Sequence, residues 1–142
     1  KVRKWNGLLV EADPESYAVL KSKHRKAFAI NACLSIKNYS SVVTFNKGFN
    51  LGRIYDNKEA INWVKQIGNK LPVNTIQIQC FPLYSILLAL RQTNVDFFSL
   101  DVEGDELHVL QTIPFDKVNI KMMTVEFVHN VGGVGAVKSL YR

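Results

Sequence analysis

Read for its alternation of apolar and polar positions, the chain divides into strands and helices that succeed one another. Gly7 to Ala12, GLLVEA, is a short apolar run ending in an acid. Pro14 then suits the first position of a helix, in which Tyr17 and Leu20 lie three apart and Lys21 to Lys26 form the solvated end. Phe28 to Ser35, FAINACLS, reads as a second strand and Ser41 to Phe45, SVVTF, as a third, the two pairing through a turn at Lys37 to Ser40. From Asn46 to Asn74 the pattern loosens into a glycine-containing insertion. It holds one helix from about Asp56 to Gln66, with Ala60, Trp63, Val64 and Ile67 on its apolar face.

Thr75 to Cys80, TIQIQC, alternates with period two and predicts a half-exposed strand. Pro82 precedes Leu83, Ile86, Leu87 and Leu90, which at i, i+3, i+4 and i+7 give the clearest helix in the chain. Val95 to Val102 reads as a strand buried on both faces, Asp105 to Ile113 as a helix stopped by Pro114, and Ile120 to Val128 as another long buried strand. Alternating strands and helices predict an α/β domain built on a doubly wound, mostly parallel sheet. Repeats, low-complexity tracts and domain linkers are absent from the sequence.

Composition narrows this only slightly. A chain of 142 residues, 47% hydrophobic and 21% charged, suits one domain with a real core. Its 18 basic and 12 acidic residues give a formal charge of +6. The basic residues cluster only at Lys1 to Lys4 and Lys21 to Lys26, a solvated surface and not a nucleic-acid footprint. No apolar run reaches the ~20 residues that span a bilayer, and no secretory signal opens the sequence. The chain begins mid-pattern without a methionine, so it reads as a fragment whose anchor or targeting segment could precede Lys1. Cys33 and Cys80 lie in strand-like apolar segments without metal-ligand spacing and read as buried small hydrophobes.

Candidate chemistry gathers in FFSLDVEGDEL, Phe97 to Leu107, where an apolar run ends in four carboxylates around one glycine. In an open α/β sheet, ligands sit beyond the carboxyl ends of the strands. Glu11, Asp101 with Glu103, and Glu126 all fall near such ends. Glu11 is either an acceptor for the two ribose hydroxyls of a nucleoside cofactor or a capping surface acid; position alone does not choose. Asp105 and Glu106 occupy the first turn of a helix, where its dipole favours negative charge, and Gly104 supplies the turn. The stretch fails the calcium-loop pattern, and no metal is assigned to it. Gly132 to Ser139, GGVGAVKS, resembles a phosphate-binding loop but has Val137 where a glycine must precede the lysine. His24, His108 and His129 share no ligand spacing, although His108 sits among the acids. Asn38-Tyr39-Ser40 is a glycosylation acceptor in a predicted turn, relevant if the domain is lumenal.

These pieces together resemble a known family. Trp5-x-Gly7-Leu-Leu-Val-Glu11-Ala-Asp13-Pro14, Asn31-Ala-Cys33-Leu-Ser35, Asp96-Phe-Phe-Ser-Leu-Asp101-Val-Glu103-Gly104-Asp-Glu106 and Thr124-Val-Glu126, in that order and spacing, are similar to the FkbM-type methyltransferase domain over nearly the whole chain. The wording of WNGLLVEADPESY and of Phe49-Asn-Leu-Gly52-Arg53-Ile54 looks closest to the arthropod Star-like branch. The resemblance implies a class I fold and S-adenosylmethionine-dependent O-methyl transfer to a small-molecule or glycan hydroxyl. On that model Glu11 holds the cofactor ribose, Ala32 and Cys33 lie beside the adenine, and Asp101 both contacts the cofactor and, with Glu103, faces the methyl-transfer site. Glu106 and Glu126 are supporting or substrate-side groups. The family's first strand and glycine-rich loop should precede Trp5, where this sequence has only Lys1 to Lys4, so the domain reads as N-terminally incomplete. The Star-like resemblance implies a second function: a non-catalytic domain that carries membrane-protein cargo in the endoplasmic reticulum, Golgi or endosome. A cytoplasmic enzyme is the alternative location.

Overall fold

The structure is a computed structural model and describes residues 6–47, 52–54 and 74–126. The predicted helix over 56–66, His129 and the glycine-rich tail lie outside the described residues. Three helices and ten short strands are present among those residues, and no helix there is long and apolar enough to cross a membrane.

Strand β1 (Leu8–Glu11) leads into helix α1 (Pro14–Ser22), as the apolar run and Pro14 predict. Asp13 caps the helix: its Oδ1 accepts from the Glu15 and Ser16 amides at 2.7 and 3.1 Å, satisfying donors that have no partner inside the first turn. The second predicted strand is continuous in sequence but changes neighbour at Ala32. Its first part, β2 (Phe28–Asn31), pairs parallel with β1; its second part, β3 (Cys33–Leu34), pairs parallel with β6 (Thr75–Phe81).

The expected hairpin between the second and third strands does not form. β4 (Ser41–Asn46) pairs antiparallel with β6 and with β5 (Arg53–Ile54), giving the order β3-β6-β4-β5. β6 takes the central place because its alternating Ile78 and Cys80 bury on one side, at 7% and 0% exposure, against Val43, Phe45 and Ile54. A disulfide joins Cys33 to Cys80, which face each other as register partners 4.4 Å apart at Cα. The reading of both cysteines as free hydrophobes is corrected: they are buried, but covalently paired.

Helix α2 (Leu83–Ala89) places Leu83, Ile86 and Leu87 in a second core with Leu34, Leu100, Val109, Leu110, Ile113 and Val118. Next come β7 (Asn94–Val95) and β8 (Phe98–Leu100), then helix α3 (Glu106–Gln111), then β9 (Asn119–Ile120) and β10 (Met123–Val125). β7 pairs with β9 and β8 with β10, both parallel.

The single doubly wound sheet expected from the sequence is therefore not what the described residues form. They make four small sheets, three of them parallel two-stranded pairs and the fourth, β3-β6-β4-β5, mixed. The two strands expected to be buried on both faces are also corrected. Of β8 only Leu100 is buried, Phe97 just before it is 43% exposed, and Val125 of β10 is 37% exposed. For β8 the reason is a broad cleft between it and β1, because neither strand has a second neighbour among the described residues.

Candidate active site

The cleft has a volume of about 1680 Å³, and β1 and β8 run along it together with Leu83, Leu87 and Val109. A single small-ligand site occupies about 300–1,000 Å³, so this cleft has room for more than one ligand. The final residues of both strands line it: Glu11, Ala12 and Asp13 after β1, and Asp101, Val102 and Glu103 after β8. Ala32 and Cys33 line it too, at the point where their strand changes neighbour. The structure thus brings Glu11, Ala32, Cys33, Asp101 and Glu103 to one cavity, although Cys33 keeps its sulfur in the disulfide.

Glu11 is half-buried, and its Oε1 accepts from the Asp13 amide at 2.8 Å. Asn31 braces the turn behind it, donating through Nδ2 to the carbonyls of Glu11 at 2.9 Å and Ala12 at 3.0 Å. The carboxylate is consequently held at the mouth of the cleft by the same Asp13 that starts α1.

The acidic turn after β8 has an internal support. Glu103 and Gly104 both have positive φ, 58° and 110°, a reversal that glycine adopts freely and glutamate adopts at a cost. Glu106 is buried, and its Oε1 accepts from the amides of Val102 and Gly104, both at 3.0 Å. One carboxylate of the four therefore folds the turn that presents two others. Asp105, also buried, faces His108 across 3.2 Å between Oδ1 and Nδ1. His108 is thus tied to α3 and is not among the cleft-lining residues. His24 sits at the exposed end of α1 with φ 49°.

Parallel pairing of β8 with β10 carries Glu126 to the same place, since its amide donates to the Leu100 carbonyl at 2.8 Å. Carboxylate oxygens of Asp101, Glu103 and Glu126 lie within 4.8 Å of one another. The Glu126 carboxyl is held above its ordinary value, first by a hydrogen bond shared with Asp101, then by partial desolvation and the nearby Asp101, Glu103 and Glu106 charges. Three carboxylates at this spacing are oxygen donors of the kind that hold Mg²⁺ or Ca²⁺. The raised proton affinity of Glu126 suits a proton shared within the cluster.

The nucleoside end of an S-adenosylmethionine molecule fits these residues: a half-buried carboxylate at the end of β1, with apolar Ala32 and Leu100 lining the same cavity.

Two features escaped the sequence. The disulfide depends on which strands become neighbours, and the anchoring role of Glu106 depends on the direction of a side chain after a positive-φ turn. A glutamate two residues beyond Gly104 was the only available signal for the second.

Compared with known proteins, the chain matches the family described as the methyltransferase FkbM domain over residues 1–136. No curated protein and no solved structure matches it. With nearly its whole length matched and its strand-end acids gathered at one cleft, the chain belongs to the FkbM methyltransferase domain family.

Proposed function

We propose that this domain transfers a methyl group from S-adenosylmethionine to a hydroxyl of a small molecule or glycan, at the cleft between β1 and β8. The observation that carries the reading is the meeting of Glu11 with Asp101 and Glu103 in one cavity, each just past the carboxyl end of a strand. Glu11 would accept from the ribose hydroxyls, since a carboxylate offers two acceptor oxygens in one plane. Ala32 and Cys33 would lie against the adenine, as apolar surface with no donor to satisfy.

S-adenosylmethionine, when bound, supplies an electrophilic methyl group. What the chain must add is placement of the acceptor oxygen and a base for its proton. Asp101 is the base in this reading, with Glu103 orienting the acceptor beside it. Glu126 shares a hydrogen bond with Asp101 and offers the proton a second carboxylate. A cofactor fills only part of the cleft. The remainder leaves room for the acceptor beside it.

Calorimetric titration of S-adenosylmethionine into the full-length protein tests this. Binding is expected, and Glu11→Ala should weaken it about 10- to 100-fold, the range for losing hydrogen bonds to a charged group. Asp101→Asn should weaken binding as well and abolish transfer to hydroxyl acceptors. A folded full-length protein that binds no cofactor would overturn the proposal and move the reading to the non-catalytic, Star-like cargo-binding domain.

A further inference from the structure

We infer that this domain matures in an oxidising, glycosylating lumen and carries an N-linked glycan on Asn38. Two unrelated observations lead there, and neither depends on methyl transfer.

The first is the disulfide. Cys33 and Cys80 are 6% and 0% exposed, face each other in the β3–β6 ladder, and are bonded inside the smaller core. Their separation of 47 residues makes this a structural cross-link and not a reactive pair close in sequence. Buried structural disulfides form and persist in secretory and extracellular compartments and are rare where thiols are kept reduced.

The second is the placement of the sequence's one Asn-x-Ser/Thr triplet, Asn38-Tyr39-Ser40. It falls on the exposed connection between β3 and β4, with Lys37, Asn38, Tyr39 and Ser40 all exposed. The base of this connection is pinned by Ser35, 2% exposed, whose hydroxyl donates to the Tyr39 carbonyl at 2.9 Å and accepts from the Lys37 amide at 3.1 Å. Asn38 is therefore the tip of a small fixed loop. Tyr39 and Val42 beside it are 56% and 58% exposed, apolar surface that the first sugars would cover. A triplet buried in a strand or helix could not hold a glycan in the folded state; this one can.

In the modification, the Asn38 amide nitrogen attacks the anomeric carbon of a lipid-linked oligosaccharide donor. The new C–N bond replaces the bond to the lipid diphosphate, which leaves with the bonding pair, and the amide loses one proton. Ser40 supplies the hydroxyl that defines the acceptor. Substitution there should act through the modification alone, because its side chain is exposed.

The test uses the full-length protein expressed from its own coding sequence, with no added targeting signal, in cultured eukaryotic cells. The expected result is a mobility shift removed by N-glycosidase, abolished by Asn38→Gln and by Ser40→Ala, and retained by Ser40→Thr. A non-reducing peptide map should show the peptides of Cys33 and Cys80 cross-linked. An unmodified Asn38 in the folded protein would overturn the inference, and so would cysteines that alkylate freely without reductant.

Discussion

The β3-β6-β4-β5 sheet and the pair of strands around the cleft are built from similar apolar runs, yet they end in opposite states. In the sheet, β6 has a neighbour on each side and six successive register partners in β4, Ile78 and Cys80 are buried, and a covalent bond fixes its position. Around the cleft, β1 and β8 each have one neighbour among the described residues, all their residues but Leu100 are half-buried or exposed, and acids stand at their ends. One region resists rearrangement. The other keeps backbone edges and carboxylates accessible, which a binding site requires and a core excludes.

Removing the cross-link should have the largest effect and fall on the first region. Cys33→Ala with Cys80→Ala frees a loop of 47 residues' separation, for which the loss of chain-entropy restraint is about 4 kcal/mol. Urea denaturation should report that loss, while in Cys80→Ala alone, which opens the same cross-link and keeps Cys33 at the cleft, cofactor binding by the fraction still folded should be unchanged. Loss of binding in the folded fraction would show that the two regions are not separable.

A change inside the second region comes next. Glu106→Ala leaves the Val102 and Gly104 amides without their acceptor, worth about 1–3 kcal/mol, and should also release the turn that aims Asp101 and Glu103. Transfer should fall even though Glu106 touches no substrate in this reading. Glu106→Gln, which keeps one oxygen acceptor, should recover part of both losses in the same denaturation and turnover assays.

Acidity separates the regions more gently. Folding raises the proton affinity of Glu126 above its ordinary value of 4.5. Its contribution therefore favours the folded chain fully below that value and is lost as pH rises through the raised one. Thermal unfolding followed across this interval should show a step that Glu126→Gln removes, whereas the disulfide variant should retain it. The smallest effect concerns Glu103, whose φ of 58° costs about 1–2 kcal/mol in a non-glycine residue. Glu103→Gly recovers that strain less the ~0.5–1 kcal/mol entropic cost of glycine. A gain of roughly 0.5 kcal/mol in denaturant midpoint analysis is expected, alongside weaker transfer.

What could be seen in the sequence was local. Asp13 with Pro14 announces α1, and Leu83, Ile86 and Leu87 announce the buried face of α2, because caps and helical spacing act within a few residues. Glu11, Asp101 and Glu103 could be picked out because each follows an apolar run, and the structure sets all three on the cleft. The insertion of β6 between β3 and β4 was not visible, since ladder partners 47 residues apart leave no local mark, and the disulfide went unseen with it. Burial of the Phe97–Leu100 run was overread for a related reason: an apolar run states what can be buried, while the neighbour that would bury it belongs to another part of the chain.

The two bonds accepted by Glu106 also bear on how variants of this domain should be interpreted. Removing its carboxyl group would disable a turn and not a chemical step. A survey of inactive variants would nevertheless group position 106 with position 101. Only a readout that counts folded molecules separately from turnovers distinguishes the residue that shapes the site from the residue proposed to act in it.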